Sequence, residues 1–325
     1  MLKRFLLAAI LACASCGVWG ASASADAYPN KPIRVILGFS GGGGDDYLAR
    51  LIGPKLTEAL GQAVIVDNRP GAASTIAAEI TARAIPDGYT MLLASSTPVT
   101  SGPSLYPKVG YDLLKDFSYI SRIATSGNVL LVHPSLPVKT LAELVSLARS
   151  QPKMISYGSA GVASVAHLSM ELLQGVSGMQ LLHVPYKGAG AVVVALTGGE
   201  VTVGFSNVAT ALPMIQAKRL NVLAVSTAKR TSALPGVPTV AESGFPSYDV
   251  TNTFGFIAPA GTPAPVVRLL NAELRKIVQM DDIRAKCAAQ AFEAVGSTPE
   301  EYAAIMKAEL AQWARVIKNA NISLN

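Results

Sequence analysis

The chain has 325 residues, half of them hydrophobic and 15% charged, with 28 Gly, 20 Pro, three Cys and a formal net charge of +6. This composition excludes intrinsic disorder, which needs low hydrophobicity and high charge, and it excludes collagen-like and disulfide-scaffold chains. At ~150 residues per domain the length suits two domains with substantial cores.

The first 27 residues read as a secretory signal peptide. Lys3 and Arg4 precede an apolar run from Phe5 to Ala12, and Ala21 to Ala25 offers small-x-small cleavage positions. Cleavage is expected near Ala25 or Ala27, which marks the mature chain as exported. The apolar run is far short of the ~20 residues that a membrane-spanning helix needs. A lipoprotein Cys13 is a further alternative, opposed by Leu11 where a small residue is usual. Cys13 and Cys16 leave with the signal, so Cys287 remains alone and forms no internal disulfide. It falls in a helical stretch, Asp282 to Gln290, as a small buried hydrophobe. Taking Lys3 and Arg4 from the 27 basic residues leaves 25 against 21 acidic ones. They are scattered, without the stripe or aromatic platform of a nucleic-acid binder.

Along the mature chain, strand-like runs alternate with helical ones, as in a parallel α/β arrangement. Ile33 to Phe39 reads as a strand buried on both faces. Asp46 to Leu60 follows as a helix that Gly61 stops, with Asp46 as its N-cap and a kink expected at Pro54. Ala63 to Asp67 and Thr90 to Ala94 read as strands, with a helix from about Thr75 to Ala84 between them. A second series opens at Asn128 to His133. Thr140 starts a helix with Glu143 three residues on, a capping box. Ile155–Tyr157, Leu181–Val184, Val201–Phe205 and Val222–Ser226 read as strands separated by helices, and Thr253–Ala258 as a further strand. Two terminal helices follow, Pro263 to Val278 and Pro299 to about Asn319. Thr298, Pro299 and Glu301 form the start of the last one. Tyr302, Ile305, Met306, Trp313 and Ile317 share one of its faces, a core anchor.

Three turns at the carboxyl ends of strands could carry a site. Ser40-Gly41-Gly42-Gly43-Gly44-Asp45-Asp46 lies between strand and helix, where glycine permits close ligand approach and free amides can hold an anion. A plain tight turn reads equally well. No G-x-G-x-x-G register fits, and no Lys-Ser/Thr follows as in a P-loop. A similar turn, Tyr157 to Ser164, recurs in the second series, and Asn68 to Ser74 forms a third. In open α/β sheets ligands sit at this edge, so paired turns suggest a solute clasped between two lobes. No G-x-S-x-G, H-E-x-x-H or Ser/His/Asp set occurs. Ser159 and His167 are not spaced to meet, and His167 reads as helix packing or a surface polar residue. With three His, at 133, 167 and 183, nothing suggests zinc, and neither metal nor cofactor is expected. The chain reads as a binding protein and not an enzyme.

GFSGGGGDDYLAR (38–50), VDNRPGAASTIAAE (66–79), DGYTMLLAS (87–95), YGSAGVASVAHLSMELL (157–173), HVPYKGAGAVVVALTGGEVTVGFSN (183–207), LPGVPTVAESGFPSYDV (234–250) and APAGTPAPVV (258–267) resemble the signature segments of the Bug family, the periplasmic substrate-binding proteins of tripartite tricarboxylate transporters. The resemblance runs from about Tyr28 to the C-terminus. It implies an α/β, two-domain periplasmic-binding-protein fold (Venus-flytrap, type II-like), with domain 1 at 28–127 plus 249–325 and domain 2 at 128–248. It implies capture of a small carboxylate, whether a di- or tricarboxylate, an amino acid or an aromatic acid, by a monomer that serves membrane transporter subunits. A ligand-sensing role toward a receptor kinase would use the same pocket, and an exported enzyme acting on a carboxylic acid is the alternative of another class. Carried over residue by residue, the resemblance sets Phe39, Gly43, Asp45, Asn68, Ala72 and Ser95 near the ligand from one lobe. Ser159, Gly161, Val162, Ala163 and Asn207 come from the other.

Two departures from the family pattern stand out. Gly38 replaces the usual Pro, which should loosen the first turn. Asp45 stands where Thr, Ser or Ala is usual, and a carboxylate facing a bound carboxylate would cost ~1–4 kcal/mol at 4 Å. Asp45 is therefore expected to meet an amine or hydroxyl of the ligand; the alternative is a solvent-facing helix cap.

Overall fold

The computed structural model describes residues 28–106 and 108–323, so the expected signal peptide lies outside the described residues. The first series is β1 (Ile33–Leu37), α1 (Gly44–Leu60), β2 (Val64–Asn68), α2 (Thr75–Ala82), β3 (Thr90–Ser95) and α3 (Ser96–Leu105). The long β4 (Phe117–Val132) leads into α4 (Leu141–Ser150), β5 (Ser156–Ser159), α5 (Val165–Ser177), β6 (Leu182–Pro185), α6 (Ala189–Thr197), β7 (Val203–Asn207), α7 (Val208–Gln216) and β8 (Asn221–Val225). The chain returns through β9 (Thr251–Pro259) to α8 (Ala264–Gln279), α9 (Asp281–Ala289), β10 (Glu293–Ala294) and α10 (Pro299–Asn319).

Strands β2, β1 and β3 are parallel neighbours, and β9 joins β3 antiparallel. The first part of β4 pairs with β9 and β10, and its last residues pair with β7 and β8. The exchange of partners falls between Gly127, opposite Thr251, and Asn128, opposite Asn207. β5 links β7 to β6 in parallel. Because β4 continues unbroken through it, β1–β3 run toward this crossing from one side and β5–β7 run toward it from the other. The turns after both sets of strands therefore end at the same place.

Each sheet is covered on both faces, so its central strands are apolar without alternation. In the first lobe Val35 and Leu37 bury against Leu48, Ile52 and Leu274, while Ile36 and Leu92 face Ala77, Val99 and Met306. In the second, Leu130 and Phe205 pack on Leu168 and Leu173, and Val129 and Leu131 on Val192 and Leu196.

The last helix connects the lobes. Thr298 and Glu301 form the expected capping box. Tyr302 and Met306 belong to the first-lobe core, whereas Trp313, Val316 and Ile317 belong to the second. The apolar face is one stripe in sequence and two anchors in space. Tyr302 comes so close to β9 that a Cβ on Gly255 would lie 2.5 Å from its ring.

Several expectations are corrected. The first strand stops at Leu37, two residues short of Phe39. The first helix starts at Gly44 with Gly43 as N-cap, so Asp46 is its third residue and not the cap. The helix is continuous through Pro54. Helix α3 was not anticipated, because STPVTSGPSL with Gly102 and Pro103 is a poor helix former; burial of Thr97, Val99, Thr100 and Leu105 overrides propensity there. β4 starts at Phe117, well before Asn128. Thr140 caps α4 as expected, although Glu143 reaches back to the amide of Lys139 at 2.6 Å and not to Thr140 itself. Cys287 is buried, and that burial pushes its thiol up to about 11.

Candidate functional site at the crossing of the two lobes

Leu37 lies opposite Asn68 on one side and Leu93 on the other, so the three first-lobe turns start level. The side-chain amide of Asn68 donates to Phe39 O at 2.9 Å and approaches Asp46 Oδ1 at 3.4 Å, tying the second turn to the first. Gly43 and Ala72 are exposed and Phe39 half-buried, and nothing lies within 4 Å of where a Cβ on Gly42 would sit. Ser95 is buried and donates to Asn252 Oδ1 at 3.1 Å. Asn252 in turn lies opposite Ser126, next to the crossing.

The expectation that Gly38 loosens this turn is corrected. A Cβ there would sit 1.8 Å from Ser74 Oγ and 2.8 Å from its Cα. Gly38 is where two turns touch. The second turn is tense: Ala72, Ala73 and Ser74 hold φ of 44°, 48° and 72° after Gly71 at 142°. Left-handed conformations cost ~1–2 kcal/mol per residue with a side chain, so three in succession persist only where surroundings impose them.

Two adjacent carboxylates have opposite environments. Asp46 accepts from Arg50 Nε at 2.9 Å, from Gly42 N at 3.1 Å and from Asn68, and these partners, Arg50 first, bring it down to about 2. Asp45 is 5% exposed, its Oδ2 has no hydrogen-bond partner, and burial raises it to about 7. Asp45 is thus no solvent-facing cap.

In the second lobe Ser159 ends β5 fully buried. Gly161 and Ala163 are half-buried, with φ of 129° and 61°, and Val162 is 44% exposed. Asn207 ends β7 beside Asn128 and caps α7 by accepting from Ala209 N at 2.9 Å. The structure therefore gathers six candidates on the first-lobe edge and five on the opposing edge.

Sequence reasoning missed His183. Its Nε2 lies 2.6 Å from Ser159 Oγ, whereas His167 accepts from Ala163 N at 2.9 Å. The signal was the alternation in β6, which places His183 opposite Tyr157. It also missed Ser226, whose hydroxyl accepts from Asn128 N at 2.9 Å and donates to Val250 O at 2.8 Å, clamping both crossing strands. A cavity of about 430 Å³ lies at the crossing strands, lined by Arg122, Asp249, Glu309 and Trp313 among others. The carboxyl of Glu309 is enclosed and raised to about 8 by that burial. A second cavity of about 490 Å³ lies between α5 and α10. None of the eleven candidates lines either one. Among the described residues no group of three or more His, Cys, Asp or Glu could hold a metal, and no helix is long and apolar enough to cross a membrane.

Residues 48–322 match the family described as the tripartite tricarboxylate transporter family receptor. The chain belongs to this family. BugT of Bordetella pertussis is 35% identical over 305 residues, covering 94% of each chain. Among solved structures, R. palustris Rpa4515 with adipate superposes with a TM-score of 0.77 at 35% identity, over 91% of this chain and all of the other. MatC (Rpa3494) from Rhodopseudomonas palustris with bound malate gives a TM-score of 0.74 at 29% identity, over 89% of this chain and all of the other. The architecture is that of the two-domain, Venus-flytrap periplasmic binding proteins, and the chain is a Bug-type solute-binding protein.

Proposed function

We propose that this protein captures a small carboxylate between its two lobes and delivers it to the integral subunits of a tripartite tricarboxylate transporter. The observation that carries this reading is the left-handed backbone at Ala72–Ser74 in one lobe and at Ala163 in the other. Strained backbone clusters at binding sites, and here it falls in two of the three turns singled out by their sequence, one in each lobe. Ligand contacts are assigned to Phe39, Gly43, Asp45, Asn68, Ala72 and Ser95, and across the gap to Ser159, Gly161, Val162, Ala163 and Asn207. Adipate and malate, held by two structural relatives, define the first acids to try. The lobes divide at 127 and 249, a division supported by the partner exchange of β4. The mature chain is exported, cleaved near Ala25 or Ala27, and acts as a monomer. Ligand favours the closed form by its differential affinity for the two states.

Among the described residues the contact between Ser159 and His183 is the feature that favours an enzyme, and its details count against it. Ser159 Oγ donates to Gly161 O at 3.0 Å and accepts from Gly161 N at 3.3 Å. Satisfying all three contacts puts the proton on His183 Nε2, so that nitrogen is a donor and not a base.

Asp45 sets the ligand class in this reading, by meeting an amine or hydroxyl. Calorimetry on Asp45→Thr tests that part: unchanged selectivity discards it. Native mass spectrometry of protein purified from periplasm without added ligand tests the whole. A retained small acid, released unaltered, is expected. A ligand-free protein that gains no thermal stability from di- and tricarboxylates, amino acids or aromatic acids would refute capture, and conversion of a bound acid would refute the binding-only role.

A further inference from the structure

Beneath the second-lobe turn two imidazoles lie ring on ring. His167 of α5 and His183 of β6 have centroids 4.0 Å apart and planes 9° from parallel, and Tyr157 of β5 continues the stack on His183 at 4.8 Å. Each ring makes one contact upward into the turn. His167 Nδ1 receives the amide of Ala163 at 2.9 Å, and His183 Nε2 holds Ser159 Oγ at 2.6 Å. An amide donor requires a lone pair on Nδ1, so His167 is the neutral tautomer with its proton on Nε2.

That Nε2 lies 3.7 Å from Glu171 Oε1, which already accepts from Tyr157 OH at 2.6 Å and Gln174 Nε2 at 2.8 Å. The ionisable groups facing the pair are thus Tyr157 from β5 and Glu171 from the next turn of α5. Arg315 of α10 lines the groove beside Glu171. Among the described residues no Lys or Arg forms an ion pair with Glu171. Burial holds both imidazoles below their ordinary range, His167 at about 3. His167 is thus held as a neutral acceptor, and both rings are fixed by their hydrogen bonds to the turn above.

The turn above needs such support. With Gly161 at φ 129° and Ala163 at 61°, it belongs to no helix or strand that would hold its amides. We propose that His167 and His183 are positioning residues of the ligand site, gripping the turn at Ala163 and Ser159 so that the remaining N–H groups, of Ala160 and Val162, point into the gap. This rests on the carboxylate reading of the turn, but the grip itself can be measured without a ligand.

Asparagine carries an acceptor where histidine has Nδ1, and glutamine reaches where histidine has Nε2. His167→Asn should therefore keep the Ala163 contact and His167→Gln lose it. At position 183 the order reverses, with Gln keeping Ser159 and Asn releasing it. The mismatched variants should exchange the Gly161 and Ala163 amide hydrogens about five- to ten-fold faster than their matched counterparts. In calorimetric titration with adipate and malate they should bind about ten-fold more weakly, while the matched variants stay within about two-fold of wild type. Asn and Gln behaving alike at each position would reduce the pair to packing and overturn the proposal. If wild type binds neither acid, the carboxylate reading fails, and amide exchange still decides whether the rings position the turn.

Discussion

The side-chain amide of Asn68 donates to the backbone carbonyl of Phe39 at 2.9 Å, joining the end of one strand to the turn that leaves its neighbour. One hydrogen bond thus sets the spacing of two turns assigned to the ligand. Asn68→Ala should cost ~1 kcal/mol of stability, the net worth of a typical hydrogen bond, and should weaken ligand binding by more than that loss alone implies. Chemical denaturation and calorimetry on the same preparation separate the two effects. Equal, small losses would confine Asn68 to a structural role.

The left-handed residues after Gly71 store energy that glycine would release. Ala73→Gly should stabilise the protein by ~1 kcal/mol, the strain removed less the extra freedom gained by the unfolded chain. A fall in midpoint of thermal unfolding would show that the alanine methyl earns its place in packing.

Gly38→Ala should act in the opposite direction. The new methyl would meet both the side chain and the Cα of Ser74, so the turn must shift bodily. A destabilisation of ~1–3 kcal/mol is expected, as for overpacking elsewhere. Pairing it with Ser74→Gly should recover part of that loss, and no recovery would place the strain elsewhere.

Asp45 and His167 should pull stability in opposite directions across nearly the same pH window. Asp45 rises from 3.8 to about 7 on folding, so between those values the folded chain keeps a proton that the unfolded chain releases. Stability then falls as pH rises across that window. His167 drops from 6.5 to about 3, so the unfolded chain takes up the extra proton below 6.5 and stability falls toward acid. Asp45→Asn should leave only the His167 rise across that window and exceed wild type by ~1–3 kcal/mol at pH 8. Denaturation curves from pH 4 to 8 that run parallel for the two proteins would contradict this.

Much of the fold was legible because buried parallel strands are continuous apolar runs and the last helix carries its own cap at Thr298. What escaped notice did so for physical reasons. Helix α3 is polar and proline-bearing, formed by its surroundings rather than by its residues. The role of His183 depends on a partner across a strand pair, which no spacing within one segment reveals. The opposite environments of Asp45 and Asp46 arise from which neighbour Arg50 and Asn68 select, and two adjacent identical residues carry no hint of that choice. The turns themselves were visible, since glycine and small residues at strand ends mark where the backbone must bend.

The most direct measurement is amide hydrogen exchange of the whole chain, with and without the acid recovered by native mass spectrometry. Residues 41–46 and 71–75 of the first lobe and 161–163 of the second should gain protection together, at one ligand concentration. Protection confined to a single lobe, or centred instead on Arg122, Glu309 and Trp313 at the crossing cavity, would contradict capture between the two sets of turns.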